Sequence, residues 1–121
     1  MTVVVMSCYE DGAPPVSFKW TDILVTRFGE RDYEITMVLH GGCLKYALRS
    51  SKYPGGTNPY KEMLKVLAKK YCVKIVVCHL CLVENGYKSE DVLPFVKEIP
   101  FSIEYIIQAQ VEENAKVVYD A

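Results

Sequence analysis

Residues 59–86, PYKEMLKVLAKKYCVKIVVCHLCLVENG, decide the fold. Asn58 can cap a helix here and Pro59 suits its first position. Met63, Leu64, Leu67, Ala68 and Tyr71 then make one apolar stripe. At Cys72 the period changes, and Cys72–Cys78 (CVKIVVC) reads as a strand. His79 to Asn85 is a short helix stopped by Gly86. A strand held between two helices is a piece of an α/β sheet.

The same alternation extends in both directions. Thr2 to Ser7 (TVVVMS) is a β-branched run, the pattern of a strand buried on both faces. After Asp11-Gly12 and Pro14-Pro15, the residues Val16, Trp20, Ile23, Leu24 and Phe28 fall at helical spacing, with Gly29 as a stop. Tyr33–Leu39 is a second strand, and Cys43–Arg49 a short helix before the loop SSKYPGGTN. On the far side, Ser89-Glu90-Asp91 is a helical turn and Val96–Ile99 a weak fourth strand. Ser102 can cap a last helix in which Ile103, Ile106, Ile107 and Val111 share a face, and Lys116–Tyr119 is a fifth strand. Five alternations predict an α/β, single-domain three-layer sandwich with a five-stranded, mostly parallel sheet. The economical strand order is the flavodoxin-like 2-1-3-4-5, whose crevice opens where the order reverses between strands one and three.

Composition narrows the function. The chain has 121 residues, 50% hydrophobic, 24% charged, with net charge −1 and pI near 6.1. That is one domain's worth of packed core, without the basic excess of a nucleic-acid-binding surface. No apolar run reaches the roughly 18 residues of a membrane-spanning helix. The N-terminus reads as a strand rather than a signal peptide, and five cysteines is an odd count. Free thiols in a reducing cytoplasm are the expectation, with no nucleic acid and no membrane as partners.

Cysteine placement is the informative feature. Cys8 follows the first strand, Cys43 lies beyond the second, Cys78 ends the third, and Cys81 sits one helical turn later. Parallel strands end on one side, so these four share a rim with His40 and His79. Cys72 lies at the opposite end and reads as core packing, and Cys8 and Cys43 read as packing or rim residues. Cys78 stands at a strand-to-helix junction, where unpaired N–H groups and partial positive charge favour a thiolate. Cys78-His-Leu-Cys81 is a CxxC pair, the spacing of redox dithiols, zinc sites and iron–sulfur sites alike. Leu82 after the second cysteine excludes covalent haem attachment. Zinc would need a second pair, or a set built from Cys78, Cys81, Cys43 and Cys8 or a histidine. Phosphate-loop, Rossmann and nucleophilic-serine motifs are missing, so no cofactor and no metal are expected.

The segment VKIVVCHLCLVENGYKSEDVLPFV, residues 73–96, resembles the central signature of the DsrE/DsrF/TusD-like sulfur-relay family. There a strand ends in cysteine, a short helix ends eight residues later at glycine, and an acidic-Leu step leads onward. Cys78, Gly86, Asp91 and Leu93 keep that pattern. LHGG at 39–42 resembles the family's His-Gly turn, and IIQAQVEENAKVVYD at 106–120 its Gln-x-Glu-Gly stretch, with Asn114 in the glycine's place. The resemblance implies a single DsrE-like domain over residues 1–121. It also implies homo-oligomers (dimer, trimer or hexamer) and a persulfide sulfur carried on Cys78. The expected function is a sulfur-relay protein, a possible sulfurtransferase, that passes this sulfur from a donor protein to an acceptor thiol. His40 would orient the persulfide or favour the thiolate. The alternatives are a dithiol redox protein using Cys78 and Cys81, or a non-enzymatic oligomeric assembly module. Nine tyrosines, and apolar positions such as Tyr53, Tyr60, Phe95 and Phe101, predict aromatic surface left for self-association.

Overall fold

A computed structural model describes residues 1–120. The order of elements is β1 (Thr2–Cys8), α1 (Val16–Arg27), β2 (Tyr33–Leu39), α2 (Lys61–Lys70), β3 (Lys74–Cys78), α3 (His79–Glu84), β4 (Lys97–Ile99), α4 (Ser102–Glu113) and β5 (Lys116–Tyr119). All five strands pair in parallel, with helices on both sides of the sheet. This is the single-domain α/β sandwich that the alternation predicts.

The strand order differs from the expected 2-1-3-4-5: it is β4-β3-β2-β1-β5. Right-handedness fixes which face a crossover uses once its direction is chosen, but the direction itself leaves no trace in periodicity. Here three successive crossovers step the same way, which puts α1, α2 and α3 over one face. Only the return from β4 to β5 lays α4 on the other. The two cores are correspondingly unequal. Met6, Met37, Leu39, Ile75 and Val77 pack under Phe18, Leu64, Leu67 and Leu82, whereas Val5, Val38, Val76 and Ile99 lie under Ile106, Ala109 and the half-buried Tyr105 of α4 alone among the described helices. The reversal, and with it the switch-point crevice, lies between β1 and β5 rather than between the first and third strands.

Local expectations fail where tertiary contacts choose a different face. In α1 the buried residues are Ser17, Phe18 and Thr21, leaving Trp20, Ile23 and Phe28 partly exposed. In α4 the sheet takes Ser102, Ile106 and Ala109, so Ile103, Ile107 and Val111 face outward. Ser102 is the first helical residue rather than its cap, which is Phe101. Helix α2 starts at Lys61 with Tyr60 at its cap position, and Asn58 braces the turn that leads into it. Its Nδ2 donates to the Tyr46 and Leu48 carbonyls at 2.9 and 2.8 Å, and its Oδ1 accepts the Tyr60 N–H at 3.1 Å. The stretch Gly41–Ala47 winds as a 3₁₀ helix, two residues ahead of the expected Cys43–Arg49. Asn114 adopts the left-handed conformation at φ 52° and ends α4, the role its side chain permits.

No helix among the described residues is long and apolar enough to cross a membrane. Phe18 is fully buried and meets Tyr46 and Tyr60 edge-on, with ring centroids 5.7 and 5.8 Å away. Phe18→Ala is expected to destabilise the fold by about 3–5 kcal/mol, since the cavity it leaves cannot collapse against a sheet. Ile107→Ala, on the outward face of α4, should cost under about 1 kcal/mol in the monomer. Urea unfolding of the two variants checks the contrast, and equal losses would contradict it.

Candidate functional site at the carboxyl end of the sheet

The ladder brings the site together. Leu39 pairs with Val77 and Cys78 with Ile99, so His40 and Cys78 stand side by side one step beyond the β2–β3 pairing. Cys78 is the last residue of β3 and caps α3, where its Sγ accepts the Cys81 N–H at 3.2 Å. With the Cα atoms 5.2 Å apart, the two sulfurs are joined as a disulfide. Cys78 is fully buried and Cys81 partly exposed. The Leu80 N–H donates to the Pro100 carbonyl at 3.1 Å, which ties α3 to the approach of α4.

His40 is buried, with Nε2 2.8 Å from Ser7 Oγ and its ring edge-on to Tyr9 at 5.3 Å. Burial holds its proton affinity below the usual imidazole value, and the carboxylate of Asp120 pulls weakly the other way. Tyr9 in turn explains Gly41: at φ +55°, a Cβ there would lie 2.4 Å from the Tyr9 ring. His79, at the exposed start of α3, pairs with Glu98 at 2.9 Å, and that contact holds the Glu98 carboxyl below its usual range.

The remaining cysteines separate from the pair. Cys8 and Cys43 are both fully buried, their sulfurs directed at the carbonyls of Met6 (3.6 Å) and Glu10 (3.2 Å). Desolvation raises both thiols, Cys43 to about 12, so neither ionises near neutral pH. Cys72 departs from the expected core role. It is exposed, at φ 58°, in the left-handed position that ends α2, while Val73 N–H closes the turn on the Leu67 carbonyl at 3.0 Å. Among the described residues no cluster of three or more His, Cys, Asp or Glu is arranged to hold a metal ion, so the four-ligand set does not assemble.

One residue at this end of the sheet escapes sequence reasoning altogether. Asp120, immediately after β5, is buried at the β1–β5 switch point. Its carboxylate accepts the N–H groups of Tyr9 and Glu10 at 3.0–3.2 Å and the Ser17 hydroxyl at 3.2 Å. The chain thereby fills its own switch-point crevice with a carboxylate. No local pattern announces such a contact, because its partners lie more than a hundred positions away.

A family model described as the DsrE/DsrF-like family matches residues 18–119. No curated protein matches the sequence. Solved structures share the fold. A protein of unknown function, MTH1491, from Methanobacterium thermoautotrophicum aligns with a TM-score of 0.80 at 18% identity, covering 98% of this chain and 99% of that one. The YchN protein from E. coli aligns with a TM-score of 0.70 at 22% identity, again over 98% and 99%.

Two outcomes follow from this geometry. Free imidazole takes a proton near pH 6.5, whereas buried His40 resists it, so the unfolded chain binds more protons as pH falls below that value. His40 therefore supports stability above pH 6.5 and loses that support as pH drops through its lowered folded-state value. The urea midpoint should decline between pH 7.5 and 5.5, and His40→Gln should flatten the decline; an unchanged slope in the variant would exclude this origin. For the thiols, alkylation of the untreated native protein should label Cys72 alone. Cys78 and Cys81 should join it after reduction, and Cys8 and Cys43 only in denaturant. Peptide mapping reads the order, and native labelling of Cys8 would contradict it.

Proposed function

The chain belongs to the DsrE/DsrF-like family, broadly linked to sulfur relay, and from that premise we propose that it is a relay protein working through Cys78, with Cys81 as the thiol that gates it. The observation that carries this reading is the pairing of Cys78 with Cys81 at the β3–α3 junction. Two electrons and two protons from a thiol reductant open the disulfide into two thiols. An N–H directed at Cys78 Sγ then favours negative charge on that sulfur.

The Cys78 thiolate attacks the outer sulfur of a donor persulfide. The donor's S–S bond breaks, the donor leaves as a thiolate, and Cys78 holds the persulfide in a site shielded from water. An acceptor thiolate attacks the outer sulfur in the next step, and Cys78 leaves as a thiolate. Cys81 offers a competing outcome. Its thiolate can attack Cys78 Sγ, which expels hydrosulfide and restores the Cys78–Cys81 disulfide. A simple carrier requires a geometry that keeps Cys81 away, and the paired sulfurs argue against so passive a role. They equally favour the second reading, a dithiol redox protein that exchanges electrons without carrying sulfur. His40, held by Ser7 and Tyr9, acts in either reading as a neutral wall beside the thiol.

Donor and acceptor proteins in a reducing cytoplasm are the partners this chemistry needs. Self-association fits the outward stripe of α4: Ile103, Ile107 and Val111 are 46%, 49% and 74% exposed, with Leu80 and Phe101 beside its start. This corrects the surface expected from sequence in part: Tyr53, Tyr60 and Phe95 pack against the main core instead, and Phe101 stays exposed.

The test loads the reduced protein from a persulfide donor and follows intact mass for the gain of one sulfur atom. Cys78→Ser should not load at all. Cys81→Ser should load to within a few-fold of wild type and hold the sulfur longer, because its internal discharge is gone. Return of the 78–81 disulfide in wild type, with no sulfur adduct from any donor in wild type or in Cys81→Ser, would instead establish the dithiol redox reading.

A further inference from the structure

Toward the other end of β3 from the thiols, the surface around Phe95 carries a charge pattern that the rest of the molecule does not explain. Lys61, Lys65 and Lys69 stand one turn apart along α2, all exposed. Arg49, Lys74 and Lys97 flank them, and the six line two adjoining clefts of about 240 and 360 Å³ that share Pro94 and Phe95. Among the described residues the ion pairs are Met1–Asp32, Lys45–Asp11 and His79–Glu98, and none involves these six. Among the described residues, Arg49 donates from Nε to the Glu90 carbonyl at 3.1 Å, and the Lys74 ammonium stands 5.6 Å from the centre of the Tyr105 ring; the other four have no polar partner.

A solvated helix face usually alternates sign, with Glu one turn before Lys. Like charges one turn apart work against the helix; Glu62, three residues before Lys65, and the helix dipole at Lys69 offset only part of that cost. The pattern is sharper because the whole chain has net charge −1: the excess of acid lies elsewhere. In the middle of the cations Phe95 is half-buried beside exposed Pro94, an apolar floor under a basic rim.

We propose that this face docks an acidic segment of a partner protein that carries an apolar residue for the Phe95 floor. The chemistry favours a short segment over nucleic acid. A long polyanion would run off the patch onto a net-acidic surface, and the clefts offer a single half-buried aromatic rather than a row of stacking rings. Charge complementarity of this kind governs encounter and orientation more than final affinity, which suits a transient partner. The surface stands apart from the sulfur chemistry, and its occupancy can be measured whether or not Cys78 carries sulfur.

The experiment uses the full chain and a fluorescein-labelled synthetic peptide of Asp and Glu residues around one central Leu, followed by polarisation at low and physiological salt. Wild type is expected to bind the peptide, more weakly as salt rises. The triple variant Lys61→Glu, Lys65→Glu, Lys69→Glu should lose affinity by roughly tenfold or more. A control with the same change in net charge, Lys19→Glu, Arg27→Glu, Lys116→Glu, should stay within about twofold, since its effect is only long-range and screened. Replacing the central Leu by Ser should weaken binding to wild type. No binding by folded wild type, equal losses in the two triple variants, or tighter binding of an oligothymidylate than of the peptide would each overturn the proposal.

Discussion

The position of β3 in the sheet is the constraint on which the site depends. Its ladder with β2 runs to Leu39–Val77, and its ladder with β4 runs to Cys78–Ile99. The β4 ladder holds the Cys78 main chain directly and the β2 ladder holds its neighbour Val77, so the chain can turn into α3 without moving the sulfur. The turn of α3 then carries Cys81 back over Cys78. A loop cysteine could wander to meet a distant thiol, but Cys78 is fixed where the strand ends. The buried cap geometry and the near neighbour follow from the same junction.

The order of the strands sets what surrounds that junction. With three crossovers stepping one way, α1, α2 and α3 crowd one face, and α4 alone covers the other. One helix cannot hide both a sheet face and its own apolar residues, so Ile103, Ile107 and Val111 remain outside. The same arithmetic moves the switch point to β1–β5, two strands away from Cys78. There the Asp120 carboxylate satisfies the N–H groups that would otherwise attract an anion. The conventional ligand crevice of a parallel sheet is closed from within, and the thiol chemistry sits beside it rather than inside it.

Much of this was legible in the chain, and what was not has physical causes. The change of period at Cys72, the β-branched run at the start and the alternation between them gave the layers and the parallel sheet. The CxxC spacing placed two thiols on one helical turn, because an Sγ capping an N-terminus meets the residue three positions later. Strand order was hidden, since crossover direction is decided by which faces pack. Helix faces were hidden for the same reason: Ser17 and Thr21 are buried in α1, where polarity predicts solvent. Cys72 misled because its residue type suggests burial, whereas its position after α2 demanded a left-handed turn and exposure. Asp120 had no local signal at all.

The two proposed surfaces have a spatial relation that the sheet enforces. Lys74 opens β3 in the larger basic cleft, and Cys78 closes the same strand at the dithiol. Four steps of a strand advance about 13 Å. Phe95 and Cys81 both pack against the core on the α1–α2 side of the sheet. An extended chain covers about 3.3 Å per residue, so an arm of four or five residues spans that distance. A partner held by an acidic segment at the cleft could therefore bring a thiol on a short tether to Cys78. Docking by charge at one end of β3 and exchanging sulfur at the other separates recognition from chemistry. That separation explains how a buried thiol could serve a partner without a deep substrate pocket: the partner's own chain would supply the reach.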